Sequence, residues 1–220
     1  MIRKLLKRLT HPFLKYGTQK YFSKPRSFRY ENIEVLVMPQ VFPPHYTLST
    51  KILLDFIKPI DLKNKSVLEL GCGSGIIALY TASKGAIVTA SDINTIALAA
   101  LNKAAIKNNL ELEIINSNLF NNIQKQDFDY IIINPPYYPK EPKNINENAW
   151  FCGENFEYFI TLFQQIPKRK DKTVLIILSE DCDIQKITRI AENNNLKLNK
   201  IFEKKVIAEK NFIYKIEGPN

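Results

Sequence analysis

Cysteine is scarce: Cys72, Cys152 and Cys182 are odd in number and far apart along 220 residues. That excludes a disulfide framework and fits a reducing, cytoplasmic setting. There are only two histidines and no closely paired Cys or His spacing, so no metal site is expected. No window approaches the ~20 apolar residues that a membrane-spanning helix needs. The short apolar stretch near the start is interrupted by Lys7 and Arg8, unlike a secretory signal. Acid is absent where base is dense. Residues 1–30 hold no Asp or Glu but nine cations, Arg3, Lys4, Lys7, Arg8, Lys15, Lys20, Lys24, Arg26 and Arg29. These account for the whole formal charge of +9, because the other 190 residues hold 22 of each sign.

Phe13, Tyr16, Tyr21, Phe22, Phe28 and Tyr30 are interleaved with those cations. Cations for phosphates and rings for bases describe an arm for a nucleic acid. Two other readings compete. Ile2, Leu5, Leu6 and Leu9 share one helical face, so the first ten residues also suit a basic amphipathic helix on a membrane surface, or a helix docked on the rest of the chain.

Beyond the arm, the most telling segment is Asn134-Pro135-Pro136-Tyr137, which follows the apolar run 130–133. A strand entering two prolines must stop, since neither donates a ladder hydrogen bond and each restricts the residue before it. The Asn134 side-chain carbonyl and the Pro135 backbone carbonyl together can accept both hydrogens of an NH2 group. An amide or aromatic amine is a poor nucleophile because its lone pair is delocalised. Holding both hydrogens favours the tetrahedral nitrogen that attack requires. Tyr137 supplies a flat face on which the substrate stacks. The segment reads as a site that methylates a planar nitrogen. Alone, it also reads as a turn after a buried strand.

Upstream, 67–70 is an apolar strand that runs into Gly71-Cys72-Gly73-Ser74-Gly75 and then a helical pattern. Glycines there let backbone approach a ligand, and the helix start offers free N–H groups. The spacing lacks the Gly-x-Gly-x-x-Gly of pyrophosphate cofactors, and Glu69 argues further against a phosphate. A carboxylate suits a cationic or hydroxyl-bearing ligand. A second strand, 86–91, ends at Asp92, about twenty residues past the glycines, where a ribose-binding acid sits in dinucleotide folds. Asp92 also reads as the N-cap of a helix over 95–108. A third strand, 113–115, leads to Asn118, whose side chain is placed to read an adenine edge.

Together these residues resemble the S-adenosylmethionine-dependent methyltransferases of the Asn-Pro-Pro-Tyr branch, which includes release-factor glutamine methyltransferases and adenine-N6 and guanine-N2 RNA methyltransferases. The resemblance runs from about residue 41 to 181. It implies S-adenosylmethionine as cofactor, catalysis at Asn134, Pro135, Pro136 and Tyr137, and cofactor contacts at Thr47, Glu69, Gly71, Cys72, Gly73, Gly75, Asp92, Ile93, Asn118, Leu119 and Asn134. Thr47 enters through Pro43-Pro44-His45-Tyr46-Thr47, which is similar to the Pro-x-x-x-Thr segment that lies over the cofactor. His45 is not needed as a base, since the nitrogen sheds its proton only after it has gained the methyl group, and it reads as a loop residue. The adenine-reading position is often Asp in such enzymes and is Asn118 here.

The fold expected is α/β, a Rossmann-like sheet of seven strands, mostly parallel with an antiparallel C-terminal strand and helices on both faces. Later strands are read at 172–178, 196–206 and 211–216, with a helix at 183–194. Residues 1–40 form a basic extension with room for a helix and a β-hairpin, and 41–220 form the methyltransferase domain. The proline-bearing stretch 138–156 is the rim over the acceptor. Trp150 in it either stacks a flipped base or pins the loop to the core. The acceptor is expected to be an exocyclic amine in RNA, ribosomal or transfer, because about forty basic residues seat no helical substrate-docking bundle. A glutamine of a release factor, with a partner subunit for docking, is the alternative. A non-catalytic nucleic-acid-binding module with a relict pocket is the third reading.

Overall fold

The computed structural model of the protein describes residues 23–45, 48–124, 127–166, 172–206 and 209–218. Arg3, Lys4, Lys7, Arg8, Lys15, Lys20 and Thr47 lie outside the described residues. In chain order the elements are β1 (Arg26–Tyr30), β2 (Ile33–Val37), α1 (Leu48–Ile57), β3 (Ser66–Leu70), α2 (Ile76–Ser83), β4 (Ile87–Asp92), α3 (Thr95–Lys107) and β5 (Glu113–Asn116). There follow β6 (Tyr130–Ile133), a 3-10 turn (Glu147–Ala149), α4 (Glu157–Gln165), β7 (Thr173–Ser179), α5 (Ile184–Asn193), β8 (Lys197–Val206) and β9 (Glu209–Glu217).

Seven strands form one sheet in the order β5-β4-β3-β6-β7-β9-β8. The first five pair parallel, and β9 runs antiparallel between β7 and β8. This is the sheet expected from the sequence. Its central strands β6 and β7 are almost wholly apolar because both faces are covered. Val67, Ile132, Leu175, Ile177 and Ile213 face a core shared with α1, α2 and α3. Their alternates Leu68, Ile131, Ile133, Ile176 and Tyr214 face a second core with α4, α5 and Phe128. A one-residue slip would exchange the two sets. Each fully buried Leu, Ile or Phe contributes about 1.5–3 kcal/mol.

The hairpin β1–β2 packs on α2 and α3 and belongs to the first core through Tyr30, Ile33, Val35 and Val37. Tyr30 meets the Tyr80 ring edge-on at 4.9 Å and donates its hydroxyl to Asp55 Oδ1 at 2.9 Å. Asn108, past the end of α3, donates Nδ2 to the Glu34 carbonyl at 3.0 Å. Lys24 and Arg29 are exposed on this hairpin, and Arg29 Nε donates to the Glu31 carbonyl at 2.8 Å. His45 caps the same corner, with Nε2 2.8 Å from the Ser27 carbonyl and its ring edge-on to Phe28.

The parallel strands β3, β4, β5 and β6 all end at one edge of the sheet. Strand order reverses about β3, with β4 on one side and β6 on the other, which opens a crevice at their carboxyl ends. The helices α1 and α4 were not singled out in the sequence reading, and both border that crevice.

Candidate active site

The turn after β3 is glycine-rich for two different reasons. Gly71, Gly73 and Gly75 all have positive φ, at 73°, 50° and 72°, a region costly for side-chain-bearing residues. A Cβ on Gly71 would meet nothing within 4 Å, so its face is open to a ligand. A Cβ on Gly75 would collide with the Leu101 side chain, so that glycine sets the approach of α2 to α3. The turn is pinned by the Ser91 carbonyl of β4, which accepts from both Gly71 N and Cys72 N at 2.8 Å.

Two carboxylates stand behind this turn. Glu69 is buried, and its Oε2 accepts from Ala78 N at 2.7 Å. It serves the first turn of α2, whose N-cap Gly75 has no side chain to do so. Burial pushes the Glu69 carboxyl well above its usual range, and the charge of Asp92 adds to the rise. Asp92 ends β4 with Oδ2 accepting from Gly73 N at 2.7 Å and Oδ1 from Asn94 N at 2.8 Å. Burial raises it as well, while these backbone donors pull the other way. Asp92 is not the cap of α3. That role falls to Asn94, whose Oδ1 accepts from Ile96 N at 3.0 Å and whose Nδ2 donates to the Gln40 carbonyl at 2.9 Å.

The end of β5 turns through Ser117, Asn118 and Leu119. Ser117 N donates to the Asp92 carbonyl at 3.1 Å, and Ser117 Oγ donates to the Leu119 carbonyl at 2.8 Å. Leu119 takes φ 49°. Asn118 is exposed, and its side chain makes no hydrogen bond among the described residues.

On the other side of the crevice, Asn134 follows β6 and donates Nδ2 to Thr50 Oγ1 of α1 at 3.3 Å. With the amide nitrogen engaged, Oδ1 is the atom left to accept. A cavity of about 370 Å³ joins the two sides, within the usual range for a small-molecule site. Of the expected residues it is lined by Glu69, Gly71, Cys72, Gly73, Asp92, Ile93, Asn118, Leu119, Asn134 and Pro136. Gly75, Pro135, Tyr137, Trp150, Lys24, Arg26 and Arg29 do not line it. Pro135 is buried beneath the wall. Tyr137 packs on Tyr138, ring centroids 4.8 Å apart.

The stretch 138–156 covers the cavity as a compact loop. Tyr138 N donates to the Trp150 carbonyl at 3.1 Å and Cys152 N to the Tyr138 carbonyl at 3.0 Å. The Trp150 ring lies 4.9 Å from Phe42, which pins this loop to the segment before α1. Gly153 holds φ 86° beside the Glu157 carboxylate, and burial pushes the Cys152 thiol up to about 11. The cavity gains walls that the sequence reading missed, among them Phe42, Thr50, Asn94, Tyr158 and Thr161. Thr50 stands three residues after Thr47, at the start of α1. No group of three or more metal-ligating side chains occurs among the described residues, nor does any helix among them have the length and apolarity to cross a membrane.

Among curated proteins, a protein of Methanocaldococcus jannaschii named for protein N5-glutamine methyltransferase activity is 38% identical over 110 residues, which is 50% of this chain and 53% of that one. Ribosomal RNA small subunit methyltransferase C of Buchnera aphidicola subsp. Baizongia pistaciae is 30% identical over 156 residues, 66% of this chain and 48% of that one. The chain thus spans about half the length of each. Among solved structures, the E. cuniculi Mtq2-Trm112 complex, responsible for methylation of the eRF1 translation termination factor, aligns with TM-score 0.64 at 19% identity, over 82% of this chain and 99% of that one. The family model described as methyltransferase small domain matches residues 32–150, a little over half of the sequence, and the chain belongs to that family.

Proposed function

We propose that this chain is an S-adenosylmethionine-dependent N-methyltransferase that acts on a planar NH2 nitrogen, an exocyclic base amine in RNA. The observation that carries it is the Asn134 amide, tethered by Thr50 at 3.3 Å, on the wall of the same cavity as Glu69 and Asp92. The cavity suits this cofactor: Gly71 leaves room where a Cβ would stand, and two carboxyl groups that form no ion pair among the described residues suit a ligand bearing an ammonium group and hydroxyls. In this assignment Asp92 takes the ribose hydroxyls, Glu69 faces the cationic end, and the Asn118 side chain with Leu119 takes the adenine.

S-adenosylmethionine supplies a methyl group on a sulfonium sulfur, which keeps the carbon–sulfur electron pair as a thioether when the methyl leaves. Asn134 Oδ1, on the cavity wall, accepts an N–H of the substrate, which aims the nitrogen lone pair. Thr50 fixes the Asn134 amide so that its oxygen, and not its NH2, faces the substrate. The new N–C bond makes the nitrogen cationic, and water takes one of its protons, so no side-chain base is required. His45, held on the hairpin, takes no part.

The RNA reading rests on the nine cations and no acids of residues 1–30. A protein glutamine is the second reading, supported by the relative in M. jannaschii and by the Mtq2 alignment. The test uses methyl-labelled cofactor with total RNA and soluble protein from a host that lacks this chain, and Asn134→Ala as control. Label in RNA that vanishes with the variant is expected. Label confined to protein moves the assignment to glutamine, and no label in either pool overturns the enzyme reading.

A further inference from the structure

The cofactor cavity has a wall to which no role has yet been given. Helix α4 supplies it through Tyr158 and Thr161, which line the same cavity as Asp92, Asn118 and Leu119. Positions 158, 161 and 165 are spaced by three and four residues, so they share one face of the helix. Gln165 fixes where that face lies. Its Oε1 accepts from Phe120 N at 3.2 Å, and its Nε2 donates to Asn121 Oδ1 at 2.7 Å. Leu119 is buried in one core with Phe159, Leu162 and Phe163, the apolar side of the same helix. The face that bears Tyr158 and Thr161 is therefore seated against the turn after β5, at the end of the cavity assigned to adenine.

The two hydroxyls differ in what they have left to offer. Thr161 Oγ1 donates its hydrogen to the Glu157 carbonyl at 3.0 Å, so only lone pairs remain for a ligand. The Tyr158 hydroxyl makes no hydrogen bond among the described residues, and a tyrosine hydroxyl inside a protein ordinarily finds a partner. Its ring stands edge-on to Phe159 at 5.4 Å and its backbone N donates to the Cys152 carbonyl at 3.0 Å, which hold the group in place. Burial, with the charge of Asp92 adding to it, pushes this hydroxyl far above its ordinary range and keeps it a donor. An acceptor and a donor thus stand one helical turn apart on this wall.

We propose that Thr161 and Tyr158 read the edge of the cofactor's adenine that Asn118 leaves free, Thr161 by accepting a hydrogen of the 6-amino group and Tyr158 by donating to the ring nitrogen beside it. The proposal rests on the placing of adenine at Asn118 and Leu119 above. Adenine matches both walls because its amine has a bare ring nitrogen on either side, N1 and N7. The turn after β5 serves one edge and α4 the other. A 6-oxo purine fails at Thr161, where its carbonyl sets lone pairs against lone pairs. A polar mismatch of this kind is rejected far more strongly than a lost apolar contact.

The test is calorimetric titration of the full chain with S-adenosylhomocysteine, the thioether left after transfer, with its analogues carrying carbon at N1 or at N7, and with S-inosylhomocysteine. Tyr158→Phe, which keeps the ring on Phe159, should weaken S-adenosylhomocysteine about 5-fold with melting temperature unchanged. Each carbon analogue should bind the wild type about 5-fold more weakly than S-adenosylhomocysteine. In Tyr158→Phe the penalty of one analogue should disappear while that of the other stays. Thr161→Val should lower affinity and narrow the preference over the inosine analogue, and Thr161→Ser should restore both. Undiminished affinity in Tyr158→Phe, two analogue penalties that both survive it, or a Thr161→Val that treats the two purines as the wild type does overturns the proposal and leaves the cavity assigned to the cofactor. Failure of the wild type to bind S-adenosylhomocysteine overturns that assignment as well.

Discussion

The two halves of the sheet's carboxyl edge are built by different means. On the side of β3, β4 and β5, the wall is made by backbone: the Ser91 carbonyl ties the glycine turn, and Asp92 is gripped by Gly73 N and Asn94 N. The bonds just named span twenty residues or fewer, as that of Gly73 and Asp92 does at a separation of 19. On the side of β6, β7 and β9, side chains meet across long separations, 84 residues for Asn134 and Thr50 and 30 for Ser179 and Glu209. Short-range backbone geometry makes a fixed receptor for one ligand. Long-range side-chain pairs can be exchanged singly, so this side can change without disturbing the glycine-turn wall.

The largest expected effect separates the halves outright. Asn134→Ala should cut kcat by about 10³-fold, the scale of a lost charge-stabilising group, with the cofactor dissociation constant unchanged within about twofold. A parallel loss of cofactor affinity in a calorimetric titration would mean that the halves are not independent. The glycines should split next. Gly75→Ala should cost about 2–4 kcal/mol in a denaturant melt, because its Cβ meets Leu101 at a positive φ. Gly71→Ala should cost only about 1 kcal/mol of stability and lose its effect mainly in cofactor affinity, since its Cβ would stand in the open cavity.

Glu69→Gln sharpens the comparison through pH. Burial holds the Glu69 carboxyl above its unfolded value of about 4.3. The wild type therefore loses stability as pH climbs from about 4 through the raised folded value, because ionisation in the fold is resisted. Gln keeps an acceptor for Ala78 N and carries no charge. The stability advantage of E69Q should be absent below about pH 4 and grow across that window, while its cofactor affinity falls. Asp92, also raised, titrates in both proteins. Denaturant midpoints at pH 4 and pH 8 check the sign. The smallest effect is expected from Trp150→Ala, which frees the loop from Phe42. A fall in kcat/KM of about fivefold, with cofactor affinity kept, fits a contact worth about 1 kcal/mol.

The cofactor half was the more legible in sequence, for a physical reason. Its residues stand in contiguous strand–turn–helix segments, so spacing alone put Gly71 and Asp92 on one edge. Gly75 was misjudged, because its need for a bare Cα comes from Leu101 in a different helix, which no local pattern carries. The acceptor half was legible only at Asn134, where two prolines force the strand to stop. Thr50 was passed over for Thr47, since its value depends on which turn of α1 faces β6. Tyr137 was expected to stack a substrate, yet it stands outside the cavity and against Tyr138. The proline-rich rim concealed α4, whose Tyr158 and Thr161 line the cavity. The mostly parallel character of the sheet was recoverable because apolar strand runs alternate with helical patterns along the chain.

The position of β9 bears on the order in which a nascent chain can become competent. β8 cannot join the sheet until β9 has threaded between it and β7. A ribosome that has released the chain only as far as β8 would expose the glycine turn and Asp92 already assembled from nearby segments, while Ser179 still waited for Glu209. Local contacts close quickly and distant ones slowly. The nascent protein would have its glycine turn and Asp92 in place before β9 filled the gap beside β7.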